Sequence, residues 1–184
     1  MSMSERERLK QIILELSYEK RLVKLASGRE SNFYFDGKQT TLHAEGGYLT
    51  GKLFYEAIKD LAGVEAVGGI TLGADPIATA TSIAAHLDGK SMHAFIIRKE
   101  PKGHGTGQWL EGRKNLPAGT RVIIVEDVVT TGGSSMKAVE RAEEEGLKVL
   151  GIVTLVDREE GGRENIEAAG YWLKALFTKS ELTT

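Results

Sequence analysis

Apolar residues recur at helical spacing near the start of the chain. Leu9, Ile12, Ile13 and Leu16 predict a helix from about Ser4 to Glu19, with Ser4 as its cap and Glu7 placed to complete a capping box. The next stretch, RLVKLASGRESNFYFDGKQTTL, predicts a turn at Ser27-Gly28 and a short aromatic strand from Asn32 to Phe35. A second helix is predicted from Ala44 to Leu61, with Leu49, Leu53, Ala57 and Ile58 turned inward. From Val64 the pattern changes. VEAVGGI, SMHAFIIRK, VIIV and KVLGIVTLVDR read as short buried strands, while ADPIATATSIAAHL and SMKAVERAEEEG read as helices, the latter with Gly146 at its C-cap. Strands alternating with helices predict an α/β fold, a parallel sheet with helices on both faces. Ligands of such sheets bind at the carboxyl ends of the strands, where segments 71–76, 98–107 and 126–134 all fall.

Composition narrows the classes. A chain of 184 residues suits one domain with a substantial core, and 41% hydrophobic with 27% charged residues is a globular balance, not a disordered one. The formal net charge of -2 argues against a dedicated nucleic-acid binder but leaves room for a local basic cluster that holds one small polyanion. With no cysteine, disulfides, thiolate catalysis and Cys-ligated metal centres are excluded. The N-terminal residues lack the apolar core of a signal peptide, and no apolar run reaches the roughly 18 residues of a membrane helix, so no membrane partner is expected and the cytoplasm is the expected location. Many of the 22 glycines follow apolar runs, where backbone can approach a ligand or turn tightly into a helix.

The strongest local signal is VIIVEDVVTTGGSS, Val122 to Ser135. An apolar strand, Val122 to Val125, ends in Glu126 and Asp127. Val128 and Val129 follow, and Thr130, Thr131, Gly132, Gly133 and Ser134 lead into a helix. Hydroxyls and successive backbone N–H groups can encircle a phosphate, and the start of the following helix adds a positive field. The two acids would repel a phosphate; they suit a ribose diol or a Mg²⁺ ion, which takes oxygen ligands. No Walker sequence and no dinucleotide fingerprint is present. The segment resembles the phosphoribosyl pyrophosphate (PRPP) motif of the type I phosphoribosyltransferases. That resemblance implies that the acids meet the ribose hydroxyls and that the loop holds the 5′-phosphate.

A second signal, IIRKEPKGHGTG, puts Arg98, Lys99, Lys102 and His104 beyond a strand, among Gly103, Gly105 and Gly107. Such a cluster can neutralise a pyrophosphate leaving group, and His104 can donate a proton or a hydrogen bond as charge develops. The region Pro101 to Lys114 reads as a long loop or lid with room for a short hairpin. Closure would exclude water from the activated ribose. Arg98, Lys99, Lys102, His104 and Gly105 are similar to the catalytic loop of the orotate phosphoribosyltransferases. This narrower resemblance implies a homodimer in which the loop reaches the neighbouring subunit's site, with Lys99 able to serve its own.

The early segment Leu25 to Lys38 is similar to the N-terminal substrate loop of that family, which implies that Tyr34 and Phe35 contact the base. Read from the residues alone, Phe33 and Phe35 could equally face the core. The orotate carboxylate calls for a cation. Arg158, after the apolar run Leu150 to Val156, is the candidate, with Asp157 available to orient it; a solvated turn beside Glu159 and Glu160 is the other reading. By resemblance Arg158 and Thr130 bind orotate, and Gly73, Ala74 and Asp75 approach the pyrophosphate through backbone amides. Two lysines that some orotate enzymes carry stand here as Ala26 and Gly73, which leaves Lys24 and Lys52 as sources of replacement charge.

The resemblance thus implies a type I phosphoribosyltransferase fold. Residues 1–63 form a base-recognising hood, 64–160 the PRPP-binding core and 161–184 a C-terminal extension. The implied reaction joins orotate N1 to ribose C1′ with inversion as pyrophosphate leaves, using PRPP, orotate and Mg²⁺. Mg²⁺ is held mainly through PRPP, with Asp127 as a possible protein contact. Lys102, His104 and Asp127 are the expected catalytic group, acting by orientation and charge stabilisation, since no covalent nucleophile stands out. Two alternatives remain at this level. One is transfer to a purine or uracil; the other is a non-enzymatic regulator that senses PRPP or nucleotides.

Overall fold

The computed structural model describes residues 3–20, 23–24, 30–31, 33–101 and 108–184. Helix α1 (Glu5–Leu16) begins in the expected capping box. The Ser4 hydroxyl accepts from the Glu7 N–H, and the Glu7 carboxylate accepts from the Ser4 N–H. Leu9, Ile12 and Ile13 are buried along one face. The helix stops short of Glu19 because β1 (Tyr18–Glu19) leaves it to pair with β4 (Tyr34–Phe35). Between them β2 (Val23–Lys24) and β3 (Glu30–Ser31) form a second antiparallel pair. The expected turn at Ser27-Gly28 lies outside the described residues. A short helix that the periodicity did not announce, α2 (Gly37–Thr41), follows Asp36, whose carboxylate accepts from the Lys38 N–H. Helix α3 (Ala44–Ile58) buries Leu49, Phe54, Tyr55 and Ile58 and ends before the expected Leu61.

The central sheet has six strands: β5 (Ala66–Ile70), β6 (His93–Ile97), β7 (Leu110–Glu111), β8 (Arg121–Val129), β9 (Lys148–Asp157) and β10 (Leu173–Thr178). Their order is β10-β9-β8-β5-β6-β7, parallel except for β7. Helices α4 (Ala74–Leu87), α5 (Gly133–Glu144) and α6 (Gly162–Ala168) make the crossovers, and α7 (Lys179–Thr183) closes the chain. The segment set apart as a C-terminal extension therefore supplies an edge strand of this same sheet. Its strand signal is faint because LKALFT alternates only weakly at the sheet edge, whereas β9 is buried along almost its whole length.

Strand order reverses at β5, which has β6 on one side and β8 on the other. A crevice opens at such a point beyond the carboxyl ends of the strands. Side chains of β8 alternate between two cores. Ile123 and Val125 pack with α1, α3 and α4, while Val122 and Ile124 pack with α5 and α6. Each fully buried Ile or Val here contributes about 1.5–3 kcal/mol by leaving water. This alternation also decides where the next two residues point.

Candidate active site

Glu126 and Asp127 do not stand at the strand's end, where they were expected, but inside it, because β8 runs on to Val129. They consequently face opposite sides. Glu126 continues the Val122–Ile124 face toward α5. It is 5% exposed, and the Ser135 hydroxyl donates to it at 3.4 Å. Burial, with the charge of Asp127 adding to it and the Ser135 hydrogen bond opposing it, pushes its pKa up to about 8. Asp127 continues the other face, toward α2 and the loop after β5, and is half-buried. Burial raises its pKa as well, while the nearby Lys38 ammonium lowers it.

The backbone around Asp127 makes room for its carboxylate. A Cβ built on Gly73 would sit 2.5 Å from Asp127 Oδ1, and one on Gly37 would sit 2.8 Å from Asp127 Cβ. Lys38, at the start of α2, pairs with Asp36 at 2.6 Å, and its pKa is raised by that hydrogen bond and, more weakly, by Asp127. Asp36 and Lys38 were missed from the sequence. Both stand in FDGK, directly after the aromatic run, where a lone acid and a lone lysine carry no pattern of their own. Lys52, suggested as a replacement charge, pairs with Glu5 at 2.6 Å on the α1–α3 surface; Lys24's side chain is outside the described residues.

Beyond Val129 the chain turns through Thr130 and Thr131 into α5. Gly132 caps that helix at φ 82°, a conformation that disfavours any side chain. Gly133 and Ser134, expected in the loop, form the first helical turn, so their N–H groups are among those the helix leaves unpaired. Together 126–135 line a cleft of about 240 Å³. Thr131, Gly133 and Ser134 are exposed, while Thr130 is half-buried. This geometry accepts a phosphate at the helix start with a carboxylate to one side.

On the neighbouring strand end, Arg98 donates to Glu111 of β7 at 3.0 Å, and Lys99 is exposed. Thr71, Arg98, Lys99 and Glu111 share a cleft. The expected hairpin is present at its root, where β6 and β7 pair. Lys102 and His104 lie outside the described residues, as do Gly103, Gly105 and Gly107.

The candidate base site is assembled from both ends of the chain. Phe33 is 2% exposed, stacks on Phe35 at 6.1 Å and lies 5.1 Å from Tyr18. Tyr34 and Phe35 are half-buried, so Phe33 serves the core while these two reach the surface beside it. Arg158 is not a solvated turn residue. It is 9% exposed, its guanidinium sits 5.3 Å from the Phe33 ring centroid, and it pairs with Glu160 at 3.0 Å. Asp157, expected to orient it, accepts instead from the Glu159 N–H and pairs with Arg163. The backbone N–H of Arg158 donates to Val129 O, which ties this residue to the turn into α5.

The molecule has close relatives of known name. The sequence model of the phosphoribosyl transferase domain matches residues 50–169. The orotate phosphoribosyltransferase of Aquifex aeolicus (strain VF5) is 49% identical over 99% of this chain and 100% of its own length. Among solved structures, the orotate phosphoribosyltransferase of Mycobacterium tuberculosis H37Rv in complex with Fe(III) dicitrate superposes with a TM-score of 0.85 at 38% identity, covering 98% of this chain and 100% of that one. The same enzyme in complex with PRPP gives 0.80 at 36% identity, covering 98% and 100%.

Proposed function

Since the chain belongs to the phosphoribosyltransferase family, and within it to the orotate phosphoribosyltransferases, we propose that it transfers the 5-phosphoribosyl group of PRPP to N1 of orotate. The products are orotidine 5′-phosphate and pyrophosphate, a step of pyrimidine (UMP) biosynthesis. The observation that carries this reading is the passage from β8 into α5, where a half-buried carboxylate stands beside a glycine-capped helix start. The choice of orotate is supported by Arg158, a buried cation seated against Phe33, the residue that precedes the half-buried Tyr34 and Phe35, and by the shared name of the relatives.

In this reading the 5′-phosphate lies on Thr130–Ser134 and Asp127 holds the ribose hydroxyls. Arg158 and Thr130 take the orotate carboxylate and ring edge, with Tyr34 and Phe35 against the ring. As the bond from C1′ to pyrophosphate breaks, its electron pair leaves with the pyrophosphate, orotate N1 forms the new bond from the opposite face, and the proton of the orotate N1–H passes to the pyrophosphate or to solvent. Arg98, Lys99, Lys102 and His104 neutralise the departing charge. Glu126 is buried against Ser135 and supports the turn from within, so of the acid pair Asp127 is the one available to substrate.

Mg²⁺ fits this site as a companion of PRPP. Among the described residues no group of three or more His, Asp or Glu side chains could encircle a metal, and the accessible oxygen ligand is Asp127. When bound, the ion supplies charge neutralisation on the PRPP oxygens.

We also assign the enzyme a dimer with sites shared between copies. Leu42, Leu72, Pro76 and Ile83 line an apolar groove next to the loop after β5, and Leu72 and Ile83 are largely exposed, a face that a second copy could cover. PRPP and orotate are anions that do not cross a bilayer unaided, and a cytoplasmic location goes with the reading.

The test is PRPP- and Mg²⁺-dependent loss of orotate's ultraviolet absorbance, run beside adenine and uracil as competing acceptors. Turnover of orotate alone is expected. Turnover of another base in its place would move the chain to a different acceptor, and PRPP binding without any turnover would move it to a sensor.

A further inference from the structure

The stretch after β9 serves two places within a few residues. Arg158 faces the candidate base site, while Gly162 and Asn165 touch the phosphate turn. Gly162 is buried, and a Cβ there would lie 2.5 Å from Val129 Cγ1, 2.7 Å from the Thr130 carbonyl oxygen and 3.2 Å from the Gly132 nitrogen. From the other side, a Cβ on Gly132 would lie 3.0 Å from the Gly162 carbonyl oxygen and 3.1 Å from Ile166 Cγ1. The two backbone segments thus lie against each other at their glycines, flanked by the Val129 and Ile166 side chains.

Asn165 adds direction to this contact. Its Nδ2 donates to the Thr131 carbonyl oxygen at 3.0 Å. That carbonyl and the Gly132 N–H belong to one planar peptide and point in opposite directions. Holding the carbonyl toward α6 therefore turns the Gly132 N–H away from α6. We propose that Asn165 and Gly162 are positioning residues for the 5′-phosphate: Asn165 fixes the Thr131–Gly132 peptide so that its N–H serves the anion, and the bare backbone at Gly162 lets α6 lie close enough for this. The proposal rests on the reading of Thr130–Ser134 as the phosphate cradle. Neither residue touches substrate; both act through the turn.

The experiment is calorimetric titration of PRPP with Mg²⁺ into the full chain and its Asn165→Ala, Asn165→Asp and Gly162→Ala variants, with steady-state kinetics and melting curves alongside. Asn165 is exposed, so its variants should keep the parent's Tm. Losing the hydrogen bond in Asn165→Ala should weaken PRPP binding about three- to tenfold. Asn165→Asp keeps the shape but replaces the donor with a carboxylate, and should weaken binding at least as much. KM for PRPP should rise in step while kcat changes less than about twofold, the pattern of a lost binding interaction. Gly162→Ala should weaken PRPP binding further and lower Tm, because backbone atoms must shift.

Parent-like PRPP affinity in both Asn165 variants would overturn the proposal, as would a joint fall in Tm and kcat with no selective change for PRPP. If the parent binds PRPP but consumes no orotate, the acceptor reading fails alone and the affinities still decide the role of Asn165. If the parent binds no PRPP, the cradle reading and this proposal fall together.

Discussion

The turn from β8 into α5 and the arm between β6 and β7 both stand at the carboxyl edge of the sheet, and they present polar groups in different ways. The turn works with backbone. Gly132 holds a left-handed cap, Gly162 packs on it and Asn165 ties down one of its peptides. The arm works with side chains. Arg98 is tethered to Glu111, Lys99 is exposed, and Lys102 and His104 lie beyond, outside the described residues. A backbone cradle built before the ligand arrives suits ground-state binding. Cationic side chains suit charge that appears only as pyrophosphate departs.

The sharpest way to break this contrast is Lys102→Ala. If the arm acts on the transition state, kcat should fall by roughly 10²–10³-fold while the PRPP dissociation constant moves far less. An equal loss in both would put arm and cradle in the same role. Asp127→Asn probes the cradle side. It should weaken PRPP binding by about 10–100-fold, the scale of a lost charged hydrogen bond, as read by calorimetry. Arg158→Ala sharpens the picture by separating the two substrates: KM for orotate should rise about tenfold with PRPP affinity unchanged, and a matching loss for PRPP would show that Arg158 supports the turn instead.

Glu126→Gln has a smaller effect, and it is seen in stability. The carboxyl's pKa of about 8 in the fold lies above the ordinary 4.5, so the ligand-free protein keeps a proton there that the unfolded chain has lost. The resulting contribution is fully present below about pH 4.5 and is lost as pH rises through 8. Melting curves should show the parent losing Tm over that window, and the Gln variant losing less and melting several degrees higher at pH 8, roughly. An identical pH profile in both would mean that Glu126 is ionised in the fold. Glu111→Gln should do least. Its pair with Arg98 is well exposed, so stability should change by under about 1 kcal/mol, and any effect should be on kcat through the freed Arg98.

Much of the fold was legible in the chain because it is written locally. The Ser4–Glu7 capping box, the ADPIATATSIAAHL helix and the Gly146 helix end were read from residues that are neighbours in sequence and remain so in space. The turn from β8 into α5 was legible for the same reason. Elements without a local signature were lost: α2 is too short to show a period, and β10 alternates weakly at the sheet edge. The arm's charges were visible as a cluster, since a run of cations needs no partner to be noticed.

The sequence by itself determined the alternation of strands and helices, the turn into α5 and the reservoir of positive charge beyond β6. Hydrophobic period, glycine and charge act within a few residues, so no distant contact is needed to express them. Only the tertiary structure decided what those groups would meet. Packing on both faces of β8 extended the strand through the acid pair, sent Glu126 into the α5 core and left Asp127 for the crevice. It brought Lys38 to Asp127, seated Arg158 on Phe33, and laid Gly162 and Asn165 against the turn into α5. Each of these joins residues far apart in the chain, and such distances close only when the hydrophobic layers on the two sides of the sheet condense.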